Sequence, residues 1–176
     1  MKFRSTVTAG LASAALAVVT AAAQTSGTAD RMMQPDNGFV AAAAQGGMAE
    51  VEMGKLAVQR ASDQKVKDFG QRMVEDHGAA NEHLRQVASK KGVTLPSEIN
   101  ARQKAAMAKL SRLSGAAFDR AYMADMVADH KEDVAEFQRE ASEGKDTEVK
   151  GFAQETLPTL QSHLSMAQDT QGQLKK

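Results

Sequence analysis

Apolar residues recur at three- and four-residue spacing almost without a break from Asn37 to about residue 170. That is the period of helices that each bury one stripe. Punctuation between the periodic stretches divides them into five segments. The first runs over about 37–60 behind Asp36 or Asn37 as cap, and the second over about 64–90 behind Ser62 or Asp63, ending at Gly92. GVTLPSEI then turns the chain, and Ser97 after Pro96 predicts a short helix over about 97–112. Ser114 opens a fourth helix to about 142, stopped by Gly144, and Asp146 opens a fifth to about 170. Pro158 lies inside the fifth and predicts a kink, because it removes a backbone donor.

Two internal repeats organise these segments. Residues 63–71 (DQKVKDFGQ) and 146–154 (DTEVKGFAQ) share Asp-x-x-Val-Lys-x-Phe-x-Gln, with Glu50-Val51 and Asp133-Val134 at equal distance upstream. Each copy follows one long helix and opens the next, so the chain contains two helical hairpins. The link between them, about 91–114, is long enough to run back along a bundle. The expected fold is all-α: a ferritin-like four-helix bundle of two hairpins joined by a long crossover that contains a short extra helix. The second repeat is MVEDH at 73–77 and MVADH at 126–130, each with an aromatic residue, Phe69 or Tyr122, four positions before the methionine.

Composition agrees with helix: aromatics are 4%, Cys and Trp are absent, and unbranched side chains are common. The N-terminus reads differently. Lys2 and Arg4 precede the apolar run 11–19, and Ala21 and Ala23 supply small residues before a cleavage point after Ala23. Residues 1–23 are expected to be a secretory signal peptide. A polar leader over 24–36, the bundle domain over 37–170 and a flexible tail over 171–176 complete the expected organisation. Loss of Lys2 and Arg4 turns a formally neutral sequence slightly acidic. No basic patch stands out, which excludes nucleic acid as a partner. Without Cys there is no disulfide and no lipid-bearing N-terminal cysteine. An exported chain, periplasmic or outer-membrane-associated, with no stable membrane insertion after cleavage is expected.

Each buried stripe is interrupted once by a group able to bind metal: Glu50, His77, His130 and His163. Counted from the hairpin turns near residues 62 and 145, they lie about 12, 15, 15 and 18 residues away. At about 1.5 Å per residue the scatter is within roughly 9 Å along the bundle. One inward ligand per helix at one level is how bundles build metal sites. Met53, Met73, Met126 and Met166 each fall one turn from one of the four, and Met73 or Met126 could add sulfur. Imidazole suits zinc or copper, and thioether favours cuprous copper. Structural alternatives stand beside this reading: methionine fills cores, Glu50 could pair with His77, and His130 with His163. Asp76 and Asp129 point about 100° away from the neighbouring histidines, towards water or as outer acceptors. A di-iron site is disfavoured, because Val74, Val127 and Leu160 stand where Glu-x-x-His needs glutamate. No catalytic nucleophile constellation or phosphate loop is present.

With MVEDH, MVADH, GGMAEVEMGKLA (46–57), KGVTLP (91–96), LSGAAFDRAYM (113–123) and TLPTLQSHL (156–164) in view, the chain resembles an exported bacterial family of unknown function, DUF4142. The resemblance covers about 37–168 and implies a ferritin-like bundle outside the cytoplasm, without implying a reaction. A sister family with a Met-x-x-His-His phrase, linked to copper, is similar at MVEDH, but Asp76 and Asp129 stand here in place of its first histidine. Two functions follow as expectations: an envelope protein binding zinc or copper in its core, or a metal-free structural or stress-related bundle.

Overall fold

The computed structural model describes residues 35–174; the expected signal peptide and most of the expected leader lie outside them. Five helices follow in order: α1 (Pro35–Arg60), α2 (Gln64–Lys91), α3 (Ala101–Leu110), α4 (Gly115–Glu143) and α5 (Thr147–Leu174). The ends depart modestly from expectation. α1 begins at Pro35, a residue suited to a first helical turn, so the last two leader positions are helical. α5 runs on to Leu174, so most of the expected flexible tail is helical too. α3 begins at Ala101, not near Ser97, because Asn100 and Gln103 form a capping box, with bonds of 3.0 and 2.8 Å between the two residues. α5 continues through Pro158, which leaves the Gln154 carbonyl without its intrahelical donor.

The other boundaries have local causes. Asp63 caps α2 by accepting from the Lys65 amide at 2.8 Å, and Gly92 closes it at φ 65°, where a side chain would be strained. Asp146 accepts from the Glu148 and Val149 amides at 3.0 and 3.2 Å. Between α1 and α2 the backbones nearly touch. A Cβ on Gly54 would sit 2.6 Å from the Gly70 carbonyl oxygen, and one on Gly70 2.7 Å from the Ala57 Cβ, so both glycines are required by the close approach.

α1 packs along α2 and α4 along α5; α2 also meets α5, α1 meets α4, and α3 rests across α1 and α4. α2 and α4 start at the same end, so the crossover returns along the bundle, as in ferritin-like proteins.

Two aspartates lock the hairpins together. Asp36, read from sequence as a cap of its own helix, instead accepts from the Lys145 and Asp146 amides at 3.0 and 2.6 Å, in the turn between α4 and α5. Asp119 of α4 accepts from the Ser62 amide (3.0 Å), the Ser62 hydroxyl (2.5 Å) and the Asp63 amide (3.0 Å), in the turn between α1 and α2. Both carboxylates are buried. The pair is separated by the same interval as Asp63 and Asp146, so the latch is reciprocal.

The apolar core has two parts. One cluster holds Met53, Phe69, Met73, Phe118, Tyr122 and Met126. The other holds Phe39, Leu84, Phe137, Phe152 and Leu160, with the Phe39 and Phe137 rings edge-to-face at 4.8 Å. A layer of polar side chains lies between them.

Candidate metal centre

The polar layer takes one residue from each long helix: Glu50 (α1), His77 (α2), His130 (α4) and His163 (α5), all buried. α2 and α4 run in the same direction, so the repeated phrase places matching residues at matching depths. Phe69 and Tyr122 meet at 6.1 Å between centroids, and His77 and His130 at 5.7 Å. His163 completes a triangle, 5.3 Å from His77 and 5.4 Å from His130. One nitrogen of each ring lies within 4.8 Å of one nitrogen of the other two.

Hydrogen bonds behind the rings fix which nitrogens these are. His77 Nδ1 donates to Glu50 Oε2 at 2.8 Å. His130 Nδ1 donates to the Met126 carbonyl at 3.0 Å, with Glu50 Oε1 at 3.5 Å. His163 Nε2 donates to Asp76 Oδ2 at 2.8 Å. A neutral imidazole carries one N–H. The remaining nitrogens, His77 Nε2, His130 Nε2 and His163 Nδ1, therefore carry lone pairs. His77 Nε2 is buried without a partner, and His130 Nε2 faces His163 Nδ1 at 3.4 Å. Two lone pairs at that distance repel unless a cation or a proton lies between them. Two nitrogens bound tetrahedrally to zinc at about 2.0–2.1 Å are separated by about 3.3 Å, so the observed spacing suits an ion. A carboxylate or carbonyl on the far nitrogen is the usual support of a metal-binding imidazole.

The charges follow from burial. Burial pushes His163 down to about 4, against the pull of Asp76 and helped by His77 and His130. Burial also lowers His130, despite Glu50. For His77, burial works downward, but the Glu50 carboxylate outweighs it and the pKa rises. Burial alone would raise Glu50; the His77 charge and hydrogen bond, then His130, hold it well below the usual carboxylate range. Asp133 is raised by burial and by the charge of Glu50 beside it.

A pH dependence follows for metal-free protein. The folded-state pKa of His130 and His163 lies below the unfolded value near 6.5. Below that value the unfolded chain takes up protons that the folded one refuses, so both residues subtract stability as pH falls below 6.5, His163 down to about 4. His77 works the other way, adding stability below 6.5 that is lost as pH rises through its raised pKa. Ring-proton NMR is expected to show His163 titrating near pH 4 and His77 above 6.5. A normal midpoint for His163 would contradict its burial in unprotonated form.

Glu50, grouped in the sequence reading with the histidines as a ligand, stands behind His77, one bond removed from the converging nitrogens. Asp76, expected more often to face water, is the acceptor that orients His163, because α5 packs on that side of α2. Met73 and Met126 lie buried in the apolar cluster beneath the trio. Met166 is only half-buried, in the groove between α2 and α5 near Arg72, so the four methionines do not form one buried layer. Sequence reading missed Asp133, although its equivalence to Glu50 in the repeat was a usable signal. Two openings reach the layer. A cleft of about 320 Å³ between α2 and α5 is lined by Asp76, His77 and His163, with His83 and Glu155 3.7 Å apart among its walls. A cavity of about 230 Å³ between α1, α3 and α4 reaches Glu50 and Asp133.

Antiparallel hairpins, a full-length crossover and a polar layer at mid-height define a ferritin-like helical bundle. The family model described as "Domain of unknown function (DUF4142)" matches residues 20–170. The chain belongs to that family. Among solved structures, it is similar to a DUF305 protein of Streptomyces coelicolor described as secreted, at TM-score 0.69 and 16% identity, over 81% of this chain and 94% of that one. It is likewise similar to a DUF305 fragment from Deinococcus radiodurans, at TM-score 0.69 and 15% identity, over 78% and 95%. These likenesses concern the fold. Comparison with curated proteins returns no match.

Proposed function

We infer that the chain is an exported bundle protein that binds one transition-metal ion, zinc or copper, through His77, His130 and His163. The observation that carries this reading is the facing pair of lone pairs, His130 Nε2 and His163 Nδ1 at 3.4 Å, with the partnerless His77 Nε2 beside them. Three nitrogens leave a fourth position for water or a further ligand, and the α2–α5 cleft gives access to it. Glu50 and Asp76 act from behind, keeping the imidazoles in the tautomers that bind. Export rests on the N-terminal charge and apolar pattern; a structural relative described as secreted supports it. Among the described residues no helix is long and apolar enough to cross a membrane. Such a protein would sequester or buffer metal outside the cytoplasm.

Cobalt(II) reports directly on this site. Added to metal-free protein, one equivalent is expected to give the intense visible bands of a tetrahedral ion, and His77→Ala to remove them. Only the pale spectrum of hydrated cobalt would end the proposal. A metal-free reading has one observation in its favour. The raised pKa of His77 allows a second N–H at Nε2, which would supply the missing donor to the trio. It predicts that cobalt stays hydrated.

A further inference from the structure

We propose that the cavity between α1, α3 and α4 is a second cation site, in which Glu50 and Asp133 take a hard divalent ion such as Mn²⁺ or Ca²⁺. Acidic walls alone would not single it out. Glu132 and Asp129 are already engaged by Arg102, at 2.8 and 3.7 Å, on the outer side. The inner end differs. Glu50 is 4% exposed, its Oε2 is committed to His77, and its Oε1 has no hydrogen-bond partner. Oxygens of Glu50 and Asp133 lie within 4.8 Å of each other and of one His130 nitrogen. No Lys or Arg among the described residues pairs with either carboxylate; the ion-pair partners of Glu50 are His77 and His130.

Chemistry selects the ion. His130 Nδ1 already donates to the Met126 carbonyl at 3.0 Å and offers no lone pair. The donors turned to the cavity are therefore oxygens: Glu50 Oε1, the Asp133 carboxylate, and water, for which about 230 Å³ leaves ample room. An all-oxygen set that keeps several waters suits Mn²⁺, Mg²⁺ or Ca²⁺ more than zinc or copper. Glu50 and Asp133 occupy equivalent positions in the two repeats, so each hairpin supplies one ligand. This site does not require the imidazole site: His77 Nε2 and His130 Nε2 lie on the ring edges away from the Nδ1 atoms that meet Glu50.

Mn²⁺ itself is the probe, titrated into metal-free full-length protein and followed by the loss of the free-ion electron paramagnetic resonance signal. One Mn²⁺ per chain is expected, with a dissociation constant on the order of 10⁻⁴ M or tighter, and excess Ca²⁺ competing. Asp133→Asn should weaken binding at least about tenfold, a loss of about 1.4 kcal/mol. The variant His163→Ala, which touches neither carboxylate, should retain it. Paramagnetic broadening in the unaltered protein localises the ion without any substitution, and is expected to be strongest around Glu50 and Asp133. No binding at millimolar Mn²⁺, binding unchanged in Asp133→Asn, or broadening centred on His163 would each overturn the proposal. The first would mean that the carboxyl pair shares only a proton.

Discussion

Zinc is expected to raise the melting temperature of the metal-free protein by about 8–16 °C when supplied at about a thousandfold excess over its dissociation constant. An ion that binds only the folded state adds about 4 kcal/mol at that excess, and a domain of this size gains about 2–4 °C per kcal/mol. The double variant His130→Leu–His163→Leu should lose the shift altogether. Its metal-free stability should equal or exceed that of the original protein, because it removes two unprotonated nitrogens facing each other at 3.4 Å and apolar packing often replaces a buried polar group without loss. The same comparison with reduced copper tests for sulfur. If Met73 or Met126 joins the site, Met73→Leu or Met126→Leu should shrink the copper shift and leave the zinc shift intact. Melting curves unmoved by either metal would remove the metal-binding reading. A shift that survived in the histidine variant would place the ion elsewhere.

Asp119→Ala is expected to be among the most damaging single substitutions outside the polar layer. Its carboxylate receives two backbone N–H groups and one hydroxyl from the opposite hairpin. Hydrogen bonds to a charged group contribute about 1.5–3 kcal/mol each, and water reaching the partly exposed turn recovers part of that. A net loss of about 3 kcal/mol, or about 6–12 °C in melting temperature, follows. Urea unfolding should show the midpoint falling with the slope unchanged. Glu75→Ala, exposed on α2, should change stability by less than about 0.5 kcal/mol. A midpoint for Asp119→Ala equal to that control would show that the latch contributes nothing.

The fold was readable because two kinds of repeat constrain it in different ways. The Asp-x-x-Val-Lys-x-Phe-x-Gln repeat marks the two hairpins. The same interval relates Asp36 to Asp119 and Glu50 to Asp133, which is why the latch is mutual and the carboxyl pair comes together. MVEDH and MVADH obey another rule: they sit on α2 and α4, helices that run the same way, so aromatic, methionine and imidazole fall at three matching depths. Helical period alone predicted that His77, His130 and His163 point inward. It could not show that Asp76 reaches His163, since that contact depends on how α5 leans across α2. Nor could it separate Glu50 as a ligand from Glu50 as the support of His77, because the two roles differ by one side-chain length at the same helical position. Asp36 misled for a similar reason. An aspartate at a helix start usually serves its own helix, and only the return of the second hairpin offered it better donors.

The polar layer between the two apolar clusters also fixes the vertical alignment of the helices. Greasy stripes by themselves tolerate sliding, because one methionine or leucine packs much like another one turn away. Moving one hairpin past the other by about 5.4 Å would set Glu50 or His77 against apolar residues of the opposite hairpin, Tyr122 and Met126 in one direction or Phe137 and Phe152 in the other, with no partner for its charge or its N–H. Such a slip leaves an ionised group stranded in hydrocarbon, a far larger penalty than imperfect packing. Independently of any ion, the same side chains therefore serve as the notch that allows the bundle only one way to close.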